Sequence, residues 1–300
     1  MRWVGLRRAV ILILSLVVVA YSIAIVHLMM RETQLIFRTD VARADTRPPF
    51  PYEQIDLPRR DGARQFAWRM TQGASRPQTR AIGDSAELDD VWVLFLHGNA
   101  STIASRMNVA HYIRLRELGV NILAPEYRGY HGLDGVPSEA SVGSDARAAY
   151  EYLRTGLQVP AERLVIFGWS LGGAIAVDLA SQVDSRAVVL EGAPASVVDI
   201  GQAQYPLFPI RWIIRNPFDS TQKVARIRAP ILFLHSPEDA IVPFREGRRL
   251  FDAARSRKTF VEVRGGHIEA SEIDRDVFYG AVRAHLARTE LRLPVLKQSR

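Results

Sequence analysis

The chain has 300 residues, 48% of them apolar, which is enough to bury the core of one large domain. It contains no cysteine, so a disulfide scaffold is excluded. The net charge of +7 comes mostly from arginines in separate short stretches, without the clustering beside aromatic side chains that is usual in nucleic-acid-binding proteins. We therefore interpret these arginines as solvated surface residues near an anionic membrane, and we predict no nucleic-acid partner.

The first segment is an apolar stretch at residues 9–30, which holds 22 residues without a charge. As a helix this stretch would rise roughly 33 Å, enough for a hydrocarbon layer of about 30 Å. A cleaved signal peptide is the alternative, but its apolar region is usually only about 7 to 15 residues long. The stretch also continues past the weak cleavage candidate "SIA". We predict that residues 1–30 are an uncleaved, single-pass membrane anchor.

Basic residues flank this anchor on both sides, so their count alone does not give its orientation. Three arginines precede it and four follow it: Arg2, Arg7 and Arg8, then Arg31, Arg38, Arg43 and Arg47. The N-terminal flank is short and wholly basic, whereas the other flank leads into a large domain that can be translocated regardless of its charge. We expect the N-terminus in the cytoplasm and the domain on the non-cytoplasmic side.

A proline-rich stretch, "TRPPFPY" at residues 46–52, follows the anchor and is typical of a stiff connector. No internal repeat or long low-complexity run follows it. We predict a linker at residues 31–51, a folded domain at residues 52–288 and a C-terminal tail at residues 289–300.

The folded domain begins with two alternating stretches, "YEQIDLP" and "ARQFAWRMT", which predict an antiparallel hairpin around the turn "RRDG". Apolar strands then alternate with helical stretches. The predicted strands are 91–96, 121–125, 164–167, 187–190, 231–234 and 259–263. The predicted helices are 101–118, 138–156, 171–182, 244–255 and 272–288. This order predicts an α/β fold with a mostly parallel sheet covered on both faces, and functional residues beyond the carboxyl ends of the strands.

The alternation is interrupted at residues 192–229 by an aromatic-rich insertion that is longer than a loop requires. A buried helix of the main core is one interpretation. We prefer a small cap over the site, at about residues 193–229, because prolines at 206, 209 and 217 divide the insertion into short pieces. Its tentative substrate-binding residues are Tyr205, Phe208 and Trp212.

The stretch "VIFGWSLGGAIAV" at residues 165–177 places Ser170 between two glycines where an apolar strand passes into an apolar helix. A joint this tight leaves no space for bulky side chains, and Gly168 and Gly172 meet that requirement. The pattern matches the nucleophile elbow G-x-S-x-G, in which a serine hydroxyl stands clear of the sheet. An ordinary glycine-rich turn is the alternative, so the candidate nucleophile needs partners elsewhere in the chain.

A serine hydroxyl needs a base, and imidazole is the usual one near neutral pH. Among seven histidines, His267 follows the last predicted strand in a Gly-Gly turn, where its ring can reach the carboxyl edge of the sheet. The base in turn needs a carboxylate acceptor. Asp239, just beyond a strand, is our choice over its neighbour Glu238, with Glu191 as the reserve candidate.

A developing oxyanion needs two backbone donors, of which one is the amide after the nucleophile, here Leu171. The other comes from the loop after the third strand, which contains "LFLHGNAST". Gly98 permits a sharp turn there, so we predict that the amide of Asn99 completes the oxyanion hole.

The chain order Ser170, Asp239, His267 and the landmarks "LHGN", "EYRGY", "GWSLGG", "APILFLHSPEDAIVP" and "GGH" resemble those of the α/β-hydrolase family. The similarity spans roughly residues 52–288. With an N-terminal anchor, a small cap and "HGNA", the chain is most similar to membrane-anchored serine hydrolases related to protein depalmitoylases and serine aminopeptidases. It departs from the family pattern at Glu126, where aspartate is commoner, and at the pair His235 and Ser236.

The resemblance implies an α/β-hydrolase fold preceded by one transmembrane helix. It also implies a serine hydrolase that works through an acyl-enzyme. The sequence holds no metal-ligand spacing, phosphate loop or dinucleotide fingerprint, so we expect no metal or cofactor. An apolar cap near lipid favours a carboxylester or thioester with an apolar acyl group, from a small molecule, a lipid or an acylated protein.

Two other functions remain open. An aminopeptidase would use an acidic group such as Asp199 or Asp219 to hold the substrate ammonium. An inactive binding protein of the same fold is the other alternative, and such proteins usually lose the triad.

Overall fold

The computed structural model describes residues 2–59, 62–73 and 88–287. Two residues of the predicted "RRDG" turn, Arg60 and Asp61, lie outside the described residues, and so does the predicted tail at 289–300.

Eight strands form one sheet in this part of the chain. They are β1 (Glu53–Asp56), β2 (Phe66–Met70), β3 (Trp92–Leu96), β4 (Asn121–Pro125), β5 (Leu164–Trp169), β6 (Ala187–Glu191), β7 (Ile231–His235) and β8 (Lys258–Glu262). Their order in the sheet is β1-β2-β4-β3-β5-β6-β7-β8. The pairs β1–β2 and β2–β4 are antiparallel and all others are parallel. The predicted hairpin and the mostly parallel sheet are confirmed.

Ten α-helices accompany the sheet in the described residues. They are α1 (Arg2–Phe37), α2 (Arg106–Glu117), α3 (Glu139–Glu151), α4 (Leu171–Ala180), α5 (Val197–Gln204), α6 (Ile210–Ile213), α7 (Ser220–Val224), α8 (Phe244–Ala253), α9 (Ala270–Ile273) and α10 (Arg275–Leu286). One buried cluster packs α3, α4 and α8 on one face of the sheet, and a second packs α2 and α10 on the other. Continuous apolar runs such as "ILFLH" in β7 follow from this burial on both faces.

Two predicted helices differ from the observed ones. The helix predicted from residue 101 begins at Arg106, because the hydroxyls of Ser101 and Ser105 bond to nearby backbone groups and hold a turn there. The helix predicted at 272–288 is divided into α9 and α10 at Asp274, whose carboxylate accepts hydrogen bonds from the backbone and side chain of Arg264. In both cases a side chain competes with the helical backbone.

Helix α1 is long and apolar enough to cross a membrane over Leu6–Phe37, and its most apolar window is not buried by the rest of the protein. The helix continues beyond residue 30 into the range predicted as a linker. Its last residue, Phe37, is only 1% exposed and belongs to the core of the domain. The candidate membrane helix is therefore continuous with the folded domain.

The insertion after β6 holds the short helices α5, α6 and α7, and we call residues 193–229 the cap. Prolines at 206, 209 and 217 separate these helices. The cap contacts α1 at two levels. The Tyr21 hydroxyl donates to the carbonyl of Leu207 at 2.7 Å, and the Glu32 carboxylate accepts from the amides of Arg215 and Asn216.

The turn from β5 to α4 packs directly against β3. A Cβ on Gly172 would overlap the carbonyl oxygens of Leu96 and His97, and one on Gly168 would overlap the carbonyl of Gly172. Both obstacles are backbone, so neither can move aside without shifting a strand or a helix. The two glycines therefore set how closely strand and helix approach.

Replacing Gly172 with alanine should lower the free energy of unfolding by about 3 kcal/mol or more, because the new methyl group overlaps fixed backbone. Gly280→Ala is the matched control, since Gly280 lies inside α10 with open space around its Cα. It should raise stability by about 0.5–1 kcal/mol. Thermal unfolding of the full chain in detergent measures both, and equal effects of the two variants would contradict the close approach described.

Candidate active site

Ser170 lies in the turn between β5 and α4 at a φ of 55°, a conformation that is uncommon for a residue with a side chain. Its amide donates to the carbonyl of Glu191 at 2.8 Å, which ties the turn to β6. A Cβ on Gly98 would lie 3.0 Å from the Ser170 Cβ, so the loop after β3 also lies against the serine. The hydroxyl stands at the carboxyl edge of the sheet, where the sequence placed it.

Three side chains from three loops meet at this edge. His267 Nε2 lies 2.7 Å from Ser170 Oγ, and His267 Nδ1 lies 2.6 Å from Asp239 Oδ2. All three side chains are nearly buried: His267 is 9% exposed, Ser170 is 5% exposed and Asp239 is 8% exposed. With Nδ1 donating to the carboxylate, Nε2 is left to accept the hydroxyl proton. The structure thus brings together the three residues that the sequence analysis selected.

Asp239 is held by its own loop. Its Oδ1 accepts hydrogen bonds from the amides of Ile241 and Val242 at 2.9 and 2.8 Å, and His235 Nε2 lies 3.3 Å from its Oδ2. Burial raises the pKa of Asp239, but the hydrogen bonds from His235 and His267 outweigh burial and leave that pKa well below its usual range. Asp239 is therefore an anion near neutral pH, suited to stabilising a charged imidazole.

The two alternative carboxylates do not reach His267. Glu238 is exposed. Glu191 is buried and turned away, with its Oε2 2.8 Å from His111 Nε2. Burial alone would lower the pKa of His111, but the charge and hydrogen bond of Glu191 outweigh it, so the pKa of His111 is raised.

The loop after β3 supplies the second candidate oxyanion donor. Neither the amide of Asn99 nor that of Leu171 donates a hydrogen bond to another of the described residues. The Asn99 side chain donates to the carbonyl of Ile36 at 2.8 Å, and the Ala100 amide donates to the carbonyl of Phe37 at 3.1 Å. The end of α1 therefore holds this loop in position.

A buried network supports the same loop from below. His97 Nδ1 lies 2.8 Å from the carbonyl of Gly98, and His97 Nε2 lies 2.9 Å from Glu126 Oε1. The amide of Ile103 donates to Glu126 Oε2 at 3.1 Å. Burial raises the pKa of Glu126, but His97 and the hydrogen bonds from His131 and Ile103 outweigh it and lower that pKa. Glutamate fits here where the family pattern has aspartate more often.

Comparison with known proteins identifies the family to which this fold belongs. The model of the alpha/beta hydrolase family matches residues 93–257. An uncharacterised protein of Mycobacterium tuberculosis is 35% identical over 232 residues, which cover 76% of this chain and 77% of that protein. The chain belongs to the alpha/beta hydrolase family.

A more distant relative and a solved structure are also similar to this chain. The alpha/beta hydrolase domain-containing protein WAV2 of Arabidopsis thaliana is 29% identical over 233 residues, covering 72% of this chain and 71% of WAV2. A solved esterase of Pyrococcus furiosus superposes with a TM-score of 0.65 at 17% identity, covering 80% of this chain and 91% of the esterase. At that identity the likeness shows the fold, and the α/β-hydrolase fold predicted from the sequence is confirmed.

A cavity opens beside Ser170 in this α/β-hydrolase. Its lining is largely apolar and comes from the end of α1, from the cap, from the turn at Ser170 and from the loops after β3 and β7. The lining residues are Leu28, Met29, Glu32, Leu35, Ile36, Asn99, Ser170, Leu171, Pro194, Val197, Ile200, Gly201, Gln204, Tyr205, Ile210, Ile213, Ile214, Ile241 and Val242. Of the predicted cap residues, Tyr205 lines the cavity. Phe208 instead stacks on Tyr21, and Trp212 is 85% exposed.

The sequence analysis did not assign α1 to the site. Among the described residues that line the cavity, Glu32 is the only acidic one, and its carboxylate accepts hydrogen bonds from Arg215 and Asn216 of the cap. The signal available in the sequence was a glutamate that follows Arg31, directly after the long uncharged stretch of residues 9–30. Such a carboxylate needs a partner, and the sequence did not show which arginine supplies it.

The two acidic residues considered for an aminopeptidase are engaged elsewhere. Asp199 pairs with Arg211 and Arg249, and Asp219 accepts hydrogen bonds from Thr221 at the start of α7. Neither lines the cavity. Over the described ranges no group of three or more His, Cys, Asp or Glu residues is arranged to hold a metal ion.

The raised pKa of His111 makes stability depend on pH. A histidine protonated more readily in the folded state stabilises the fold fully below its unfolded pKa of about 6.5, and this contribution is lost as the pH rises through the folded pKa. We expect His111→Gln to have a smaller loss of thermal stability between acid and alkaline pH than the wild type. Identical pH profiles for the two proteins would contradict a charged His111–Glu191 pair.

Proposed function

We propose that this α/β-hydrolase is a serine hydrolase, tethered to a membrane by α1, that cleaves a carboxylester or thioester through an acyl-enzyme. The observation that carries the proposal is the unbroken hydrogen-bonded series from Asp239 through His267 to Ser170. Such a series matters for function because each residue activates or orients the next one. The serine needs a base, and the base needs a fixed tautomer and a counter-charge.

The reaction then follows from the geometry. His267 Nε2 accepts the hydroxyl proton while Ser170 Oγ attacks the carbonyl carbon of the substrate. The carbonyl oxygen becomes an oxyanion and accepts hydrogen bonds from the amides of Asn99 and Leu171. When the tetrahedral intermediate collapses, His267 gives the proton to the leaving alcohol or thiol. Water, activated by the same imidazole, releases the acyl group by the reverse steps.

An apolar acyl group is favoured over a substrate with a free amine. The cavity wall is mostly aliphatic, and apolar walls favour acyl chains. Asp199 and Asp219 are engaged outside the cavity, and the charge of Glu32 is balanced by Arg215. No carboxylate in the described wall is thus left to hold a substrate ammonium.

The first test is labelling of the purified full chain with a fluorophosphonate, which reacts with activated serines. We expect labelling of the wild type and none of Ser170→Ala. A wild type that is not labelled would overturn the enzyme proposal and favour an inactive binding protein of this fold.

The second test separates the candidate carboxylates. Asp239→Asn should lower kcat by roughly 10⁴-fold, because an amide presents the wrong partner to His267 Nδ1. Glu191→Gln is the matched control, since Glu191 is equally buried but bonds to His111. Near-normal turnover in Asp239→Asn together with loss in Glu191→Gln would reassign the third member.

The third test compares p-nitrophenyl esters with aminoacyl p-nitroanilides on the same preparation. We expect faster turnover of the esters, because the cavity wall is mostly aliphatic and has no carboxylate left to hold an ammonium group. Faster turnover of the anilides would replace the esterase proposal by a peptidase one.

A further inference from the structure

The cap reaches far along the candidate membrane helix. Tyr21 donates its hydroxyl proton to the carbonyl of Leu207, and its ring stacks on Phe208 at 5.6 Å and 11°. Glu32 binds the backbone amides of Arg215 and Asn216. Since a helix rises 1.5 Å per residue, these two attachment levels lie roughly 16 Å apart along α1. The cap therefore lies alongside the helix and not merely at its end.

The length of the uncharged stretch then decides where the cap lies relative to lipid. Residues 9–20, which precede the contact at Tyr21, would rise only about 18 Å, whereas a hydrocarbon layer is about 30 Å thick. If α1 crosses the membrane, residues after Tyr21 must also lie in hydrocarbon. The part of the cap that is bonded to Tyr21 must lie there with them.

The composition of this part of the cap agrees with contact to lipid. We call residues 205–214 the cap tip. Leu207 and Trp212 in the cap tip are 81% and 85% exposed. Exposure of two large apolar side chains so close together is unfavourable in water. The tip has a single charged residue, Arg211, which lies 3.4 Å from Asp199 and has a side chain long enough to reach the interface.

The cavity beside Ser170 lies between the same two elements. Leu28, Met29 and Leu35 form its wall on the α1 side, and Ile213 and Ile214 form its wall on the cap side. Leu35 is itself partly exposed. A chain that occupies this cavity therefore touches the membrane helix and the cap together.

We propose that α1 and the cap tip form one acyl-binding unit immersed in the bilayer, so that the substrate is a membrane-resident ester or thioester whose acyl chain enters the cavity from the lipid phase. The inference rests on the proposed serine-hydrolase function for the bond that is cleaved. It adds that α1 is a wall of the substrate site as well as a tether. The aliphatic residues of α1 then select the length of the acyl chain.

The immersion of the cap tip is tested with single cysteines, which the cysteine-free chain makes specific. Leu207→Cys carries an environment-sensitive NBD fluorophore in full-length protein reconstituted into phosphatidylcholine vesicles. Arg228→Cys is the control, since Arg228 is exposed and precedes β7 at the opposite edge of the sheet. We expect blue-shifted emission and quenching by doxyl-labelled lipid at position 207 only. Equal, water-like behaviour at both positions would overturn the immersion.

The role of α1 as a wall is tested by chain-length selectivity. Leu28→Trp should lower the ratio of kcat/KM for p-nitrophenyl dodecanoate over acetate by about tenfold or more, because the indole fills the cavity. Leu28→Ala should raise the same ratio, because it enlarges the cavity. It replaces Leu28→Trp as the test variant if the tryptophan prevents folding. Val26→Trp is the matched control, on the same helix but exposed and outside the wall, and should leave the ratio unchanged.

Fluorophosphonate labelling of Ser170 in each preparation separates the two proposals. An unlabelled wild type contradicts the proposed function. A labelled wild type whose selectivity is the same in Leu28→Trp, Leu28→Ala and Val26→Trp contradicts the acyl-binding role of α1 and leaves the serine-hydrolase function intact.

Discussion

The close approach of β5, α4 and β3 around Ser170 is the constraint on which the site depends. At Gly168 and Gly172 backbone packs directly against backbone, and Ser170 between them has a positive φ. That conformation presents the hydroxyl beyond the sheet, and Gly98 lets the neighbouring loop lie against it. The local strain is stored in a turn that the two buried layers hold from both sides. Rigid layers are what allow His267 to meet the hydroxyl at 2.7 Å.

The end of α1 connects this rigid centre to the candidate membrane segment. The carbonyls of Ile36 and Phe37 accept hydrogen bonds from the Asn99 side chain and the Ala100 amide, in the loop that carries the candidate oxyanion donor. The carbonyl of Phe37 also accepts a hydrogen bond from the Tyr130 hydroxyl at 2.5 Å. The last carbonyls of a helix have no partner within it, so these contacts satisfy the helix and the loop at once. A displacement of α1 would therefore alter both the cavity wall and the oxyanion loop.

The sequence was sufficient to predict the sheet, the hairpin and the meeting of Ser170, Asp239 and His267, because strand ends and the elbow have local patterns. It was insufficient where the answer depended on which side chains meet across the fold. Three carboxylates follow or end parallel strands, and each lies beside its own histidine: Glu126 with His97, Glu191 with His111, and Asp239 with His267. The sequence analysis preferred Asp239 and kept Glu191 as the reserve candidate, and only the packing of α2 shows that Glu191 is bonded to His111. The part played by Glu32 and Leu28 in the cavity was likewise hidden, since an apolar helix looks the same whether it faces lipid or a substrate.

The contacts of α1 also bear on whether it is retained in the mature protein. Cleavage at "SIA", residues 22–24, would preserve Leu28, Glu32 and the carbonyls that hold the oxyanion loop, so these contacts are compatible with either fate. The contact between Tyr21 and the cap tip is different, because it exists only in the uncleaved chain. Its loss would remove the hydrogen bond to the carbonyl of Leu207 and the ring stacked on Phe208, in a segment already rich in exposed apolar surface. Retention of α1 is therefore the state in which the cap tip has a partner along its length, whether in protein or in lipid.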